Sequence, residues 1–147
     1  MFAVFEKHPA CGAVRLAGMQ IKLTSLMVDD QSRALAFYTD VLGFEKKHDI
    51  PVGEYRWITV VSREGGSGIE LALEPNANPA GRAFQEAMFA QRIPLAAFES
   101  ADIAAEVAQL KSRGVAFITD PTPAGPVTIA VFSDTCGNLI QLYQPPK

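Results

Sequence analysis

The feature that most limits how this chain can fold is an internal repeat. With Ile21 placed over Ile93, a constant offset of 72 sets Leu23 on Leu95, Leu26 on Phe98, Asp30 on Asp102, Leu35 on Val107 and Ala36 on Ala108. Dropping one residue near Gly43 changes the offset to 71. Gly43 then meets Gly114, Asp49 meets Asp120, Ile58 meets Ile129, Ser62 meets Ser133, Gly66 meets Gly137 and Leu71 meets Leu142. Apolar matches arise easily by chance. Shared Gly, Asp and Ser punctuation does not, so the halves are read as two copies of one unit.

Each copy has the same order of elements. Residues 21–28 and 93–99 are apolar and partly β-branched, as a strand requires. A helix follows each. Asp29, Asp30 or Ser32 can cap the first by accepting from free N–H groups of its first turn. Ala34, Leu35, Tyr38, Val41 and Leu42 form its apolar stripe. The second carries Ile103, Val107 and Leu110 on one face, with Lys111 and Arg113 complementing the dipole at its end. Gly43 and Gly114 stop the two helices. Three strands then follow in each copy, at 44–49, 55–62 and 69–74, and at 115–119, 127–133 and 139–144. Each copy is therefore a βαβββ module, and the class is α+β. Modules 21–75 and 93–147 are joined by a linker, 76–92, whose Pro and Asn residues begin a loop and whose Ala83, Phe84, Ala87 and Met88 suggest a short helix. About fifty residues cannot bury a core alone, so the modules must share one.

Residues 1–20 read as an extension. Glu6, Lys7, His8 and Pro9 break any apolar run there, so no secretory signal is expected, and cytoplasmic residence is the default. Nowhere does the chain approach the ~20 apolar residues of a membrane helix. Its 13 Lys and Arg against 16 Asp and Glu give a net charge of −3, which disfavours nucleic acid or an anionic membrane as partner. Cys11 and Cys136 are too few for a disulfide scaffold and read as free thiols, a link between them being the alternative.

Two stretches resemble a known family. The run Met27-Val-Asp-Asp through Ala-Phe-Tyr-Thr-Asp-Val-Leu-Gly-Phe44 looks like the first strand and helix of the glyoxalase/bleomycin-resistance/dioxygenase (vicinal oxygen chelate) superfamily. Phe132 to Leu142, FSDTCGNLIQL, resembles its D-P-D-G-N-x-x-E-L turn and last strand. The resemblance covers residues 21–144. It implies two βαβββ modules whose sheets curl around a ligand groove, and a homodimer. In metal-dependent members four groove-facing side chains hold a divalent ion. Carried over, those slots fall on Leu23, Glu70, Leu95 and Gln141. Leu has no lone pair, and a catalytic ion needs about three protein ligands. No metal and no other cofactor is expected here. His8 and His48 map onto none of the slots.

The groove is expected to be lined by Leu23, Ser25, Arg56, Ile58, Glu70, Leu95, Ala97, Ile129, Gln141 and Tyr143. Glu70 and Gln141, equivalent in the repeat, either bind a polar ligand group or bond each other as remnants of a metal site. Glu70 is also a candidate general base. Leu23 and Leu95 give an apolar floor or simply fill space. Arg56, placed toward the groove by analogy with Val127, either holds an anionic or carbonyl group in a forked contact or is a surface charge paired with Glu54 or Glu74. Alternation turns Trp57 to the other face. Tyr143 shares the face of Gln141 and either bonds a ligand or packs at the rim. Cys136 has no base partner and reads as structural. Gly65-Gly66-Ser67-Gly68 precedes a strand, so it is a hairpin turn and not a phosphate cradle.

Three functions follow. The first is a metal-free protein of bleomycin-resistance type that binds a small, partly apolar molecule. The second is a glyoxalase-like lyase or isomerase using Glu70 as base. The third is an interaction module whose groove is filled by a partner chain.

Overall fold

The structure is a computed structural model that describes residues 18–63 and 68–147. Cys11, His8 and most of the N-terminal extension lie outside the described residues, as does most of the Gly-rich stretch before residue 68. Module one comprises β1 (Leu23–Val28), α1 (Gln31–Ala36), β2 (Glu45–Val52), β3 (Tyr55–Val61) and β4 (Glu70–Pro75). The linker forms α2 (Pro79–Ala90). Module two comprises β5 (Ala96–Glu99), α3 (Ile103–Ser112), β6 (Phe117–Ala124), β7 (Val127–Ser133) and β8 (Leu139–Gln144). Each module folds as a four-stranded mixed sheet, in the orders β1-β4-β3-β2 and β5-β8-β7-β6. The first strand of each pairs parallel to the last, and the other pairings are antiparallel. The sheets are open, not closed barrels.

Asp30 caps α1 through the N–H of Arg33, and Asp102 caps α3 through the N–H of Ala105, at the same place in each repeat. The first helix departs from the expected single α-helix. After Ala36 it widens into a π-helical turn over Phe37–Val41, where the N–H of Leu42 reaches back to the carbonyl of Phe37. The widened turn buries Phe37 and Tyr38 together.

Both sheets turn one face toward a single shared core. It contains Leu26, Val28, Ile58, Val60, Leu71 and Leu73 from module one, and Ala130, Phe132, Ile140 and Leu142 from module two, under Phe37, Tyr38, Val107 and Leu110 of the helices. Phe44 meets Phe98 edge-on across the modules, with ring centroids 5.3 Å apart.

A polar brace crosses the same seam. Buried Asp134 accepts through Oδ1 from the N–H groups of Cys136 and Asn138, and through Oδ2 from the Tyr38 hydroxyl at 2.9 Å and the Asn138 amide at 2.7 Å. Asn138 Nδ2 also donates to the carbonyl of Met27 in module one. From α2, Gln85 Nε2 donates to Met27 O at 2.7 Å and to Asn138 Oδ1 at 3.0 Å, and its Oε1 accepts from Asn76. The Asp-Thr-Cys-Gly-Asn turn is thus a joint between both modules and the linker. Buried groups of this kind must be paired, so each partner positions the others. Gly137 makes the joint possible. Its φ is +101°, and a Cβ there would lie 2.7 Å from Gln85 Nε2. Cys136 is fully buried within the joint, and burial, reinforced by Asp134, pushes its thiol up to about 11. An unreactive, structural cysteine is what such a setting makes.

Candidate functional site

Paired residues on neighbouring strands share a face, so the register assigns every side chain to the core or to the open face. In module one Leu23 pairs with Glu70, Ser25 with Ala72, Thr59 with Ala72, and His48 with Thr59. These, with Trp57 and its partner Ile50, lie on the face turned away from the core. In module two Ala97 and Val131 pair with Gln141, and Glu99 and Ile129 pair with Tyr143, on the corresponding open face. Eight of the expected lining residues therefore fall on or beside the open faces: Leu23, Ser25, Glu70, Leu95, Ala97, Ile129, Gln141 and Tyr143. Leu95, just before β5, also packs against the core. With Ala97 and Gln141 it walls a shallow hollow.

Arg56 and Ile58 stand on the opposite side. Ile58 is 1% exposed and belongs to the core. Arg56 leans over α1, with its guanidinium bonded to both oxygens of Asp49 at 2.8 and 2.6 Å and to Ser32 Oγ at 2.7 Å. Its partner is thus neither Glu54 nor Glu74, and the Asp49 carboxyl is held below its usual value by that fork. Trp57 takes the open-face position instead.

The reason is register. The hairpin glycines Gly53 and Gly125 both have positive φ, 59° and 63°, and lie 72 positions apart. That offset aligns Trp57 with Ile129 and Ile58 with buried Ala130. An offset of 71 in this strand slips the pairing by one residue, which exchanges its faces. The β3–β4 connection is then three residues longer than the β7–β8 one, so Gln141 corresponds to Ala72 and not to Glu70. That second shift, an even number of residues from the 71 alignment, leaves Glu70 and Gln141 on open faces even though they are not equivalent.

Glu70 is not a bare carboxylate. Lys47 Nζ lies 2.5 Å from Oε1 and His48 Nε2 lies 3.7 Å from Oε2. A bulge between Lys46 and His48 aims both side chains at it. The buried Thr59 hydroxyl adjoins the carboxylate on the same face, outside good hydrogen-bond geometry to any neighbour. The Lys47 hydrogen bond, then Thr59, hold the Glu70 carboxyl below its ordinary value. An ionised, paired carboxylate is a poor proton acceptor at neutral pH. Lys47, His48, Thr59 and Trp57 were not among the expected lining residues. The bulge that brings in the first two carries no local sequence signal.

The donors do not suit a divalent ion. Of the four slots, Leu23 and Leu95 offer no lone pair, and Glu70 is already neutralised by Lys47. Among the described residues no group of three or more His, Cys, Asp or Glu is placed to hold a metal.

Four large apolar side chains on this open face of module one are solvent-exposed: Leu23 (48%), Ile50 (51%), Val52 (59%) and Tyr55 (44%). A cavity of about 480 Å³ opens at the margin of the shared core. Of the expected lining residues it takes in Ala97 and Tyr143.

Residues 20–142 match the Glyoxalase/Bleomycin resistance protein/Dioxygenase superfamily. The chain belongs to this superfamily. It is 53% identical over 126 residues to YurT, an uncharacterized protein of Bacillus subtilis (strain 168), covering 86% of this chain and 99% of that one. Among solved structures it resembles UcmS2 (TM-score 0.75, 29% identity, 86% of this chain and 98% of that one). It also resembles TnmS3, an antibiotic binding protein from Streptomyces sp. CB03234 (TM-score 0.70, 30% identity, 88% and 98%). Among the described residues no helix is long and apolar enough to cross a membrane.

Proposed function

We propose that this superfamily member binds a small, partly apolar molecule on the open faces of its sheets and sequesters or carries it without a metal ion. The observation that carries the reading is the chemistry of the face around the old ligand slots. Leu23, Leu95, Ile129 and Trp57 supply apolar area, Gln141 and Tyr143 supply hydrogen bonds, and Glu70 is spoken for by Lys47. Such a mixture recognises a guest by shape and a few polar contacts. The likeness to TnmS3 supports the same reading. A general-base role for Glu70 is less favoured, because its ion pair lowers its basicity.

The working form is a cytoplasmic homodimer. Both sheets give their helix-side faces to the core of one chain, so the open faces point outward. A second copy would cover the exposed Leu23, Ile50, Val52 and Tyr55 and set module one of one protomer against module two of its partner. The cytoplasmic assignment is favoured by the buried free thiol of Cys136.

Trp57 is the sole tryptophan, and it sits on the proposed binding face. Titration with a panel of apolar aromatic antibiotics should quench or shift its emission with one ligand bound per chain. Leu23→Glu, which puts a charge on the groove floor, should weaken that binding by about tenfold or more. A panel in which no member alters the emission, or an L23E variant that binds as the wild type does, would overturn the reading.

A further inference from the structure

The cavity at the margin of the core lies between the modules, on the core side of the module-one sheet and reaching the open face of module two at Ala97, Glu99 and Tyr143. Thr24, Val60 and Leu71 of module one form one wall. The other is aromatic, with Phe98 and Phe132 of module two joined by Phe44 from across the seam. Tyr143 stands at the margin, and two carboxylates, Glu99 and Glu106, also line the space. Glu99 accepts from the Tyr143 hydroxyl at 3.1 Å, and Glu106 accepts from Ser100 Oγ at 2.5 Å. Neither forms an ion pair with a described Lys, Arg or His. Lys22, just before β1, directs its Nζ toward Gly68.

Aromatic faces attract cations through their quadrupoles, more strongly where water is excluded. Carboxylates at the margin of an apolar space add Coulomb attraction while their own hydrogen bonds fix their aim. A largely apolar cavity whose charged lining residues are both carboxylates disfavours anions and leaves a neutral hydrocarbon without a partner for them. From this combination we infer that the inter-module cavity is a second ligand site, which meets the open face of module two at Ala97, Glu99 and Tyr143 and takes a lipophilic ammonium ion. The apolar body sits among Phe44, Phe98, Phe132 and Leu142, and the cationic head faces Glu99 and Glu106.

The test uses the full chain and two probes of matched shape, benzyltrimethylammonium and its neutral isostere neopentylbenzene. Calorimetric titration should show the cation binding with one site per chain, and binding more tightly than the isostere. Glu99→Gln with Glu106→Gln should weaken the cation by about tenfold or more and leave the isostere unchanged. Thr24→Phe, a strand-compatible change that fills the space, should abolish binding of both, and it decides the matter if the double variant does not fold. The emission of Trp57 should stay constant throughout, which separates this site from the open face of module one. Equal binding of the two probes, an undiminished cation affinity in the double Gln variant, or cation binding that survives T24F would overturn the inference. So would cation binding that shifts Trp57 emission and is lost in L23E, since that would locate the probe on the open face of module one.

Discussion

Replacing Gly137 by Ala tests whether the polar joint sets the modules' relation. Two costs are readable from the structure. At φ +101° an L-residue is strained, by about 1–2 kcal/mol for a left-handed backbone. The new Cβ would also stand 2.7 Å from Gln85 Nε2 and 2.9 Å from its Cδ. Gln85 is 2% exposed and held from both sides, so it must retreat and release its bonds to Met27 O and Asn138 Oδ1. Losing two buried hydrogen bonds costs roughly 1–3 kcal/mol in all. The total is about 2–5 kcal/mol, a large part of the ~5–15 kcal/mol a domain has. Gly43→Ala is the control. Its φ is +84°, and nothing lies within 4 Å of the added carbon, so it should cost only the backbone strain, about 1–2 kcal/mol. Urea denaturation of both variants, with Gln85→Ala alone and in the G137A background, closes a double-mutant cycle. The G137A cost should shrink toward that of G43A once Gln85 is truncated. A G137A penalty no larger than G43A's, or one indifferent to Gln85, would refute the reasoning.

Tyr38→Phe removes a donor from buried Asp134 and should cost about 1–3 kcal/mol in the same denaturation assay. Lys47→Ala should raise the Glu70 pKa, read by carbon-13 NMR titration of the side-chain carboxyl, because the Lys47 hydrogen bond is the main influence holding it down. The sign for stability follows. Glu70 ionises more readily when folded, so its contribution is present above the ordinary carboxylate range and fades as pH falls through the depressed folded value; K47A should flatten that fall. Arg56→Ala should leave ligand affinity unchanged and lower stability, since the side chain ties β3 to Asp49 and Ser32 on the helix side. A loss of affinity without loss of stability would place Arg56 in the binding site after all.

The strands and caps were legible because each rests on local chemistry. Asp30 and Asp102 cap helices at equal places in the repeat, and short apolar runs mark β4 and β8. The face of β3 was not legible in the same way. Ile58 and Ile129 are the same residue type at an offset of 71, yet one is core and the other looks outward. Only the hairpin glycines, Gly53 and Gly125, carry the true offset, and their φ values become visible only in the structure. The ion pair between Lys47 and Glu70 spans 23 positions and depends on a bulge, so no spacing rule reaches it. The π-helical turn after Ala36 escapes for a similar reason. It buries Phe37 and Tyr38 together, and the helical spacing of the apolar residues does not distinguish it from a regular α-helix.

The joint around Asp134 draws much of its strength from main-chain atoms, the carbonyl of Met27 and the N–H groups of Cys136 and Asn138. Those groups persist whatever side chains the sheets display. Mutation can therefore rework the outward surfaces of either half toward new guests while the angle between the halves stays put, so chemical taste can drift without the scaffold having to be reinvented.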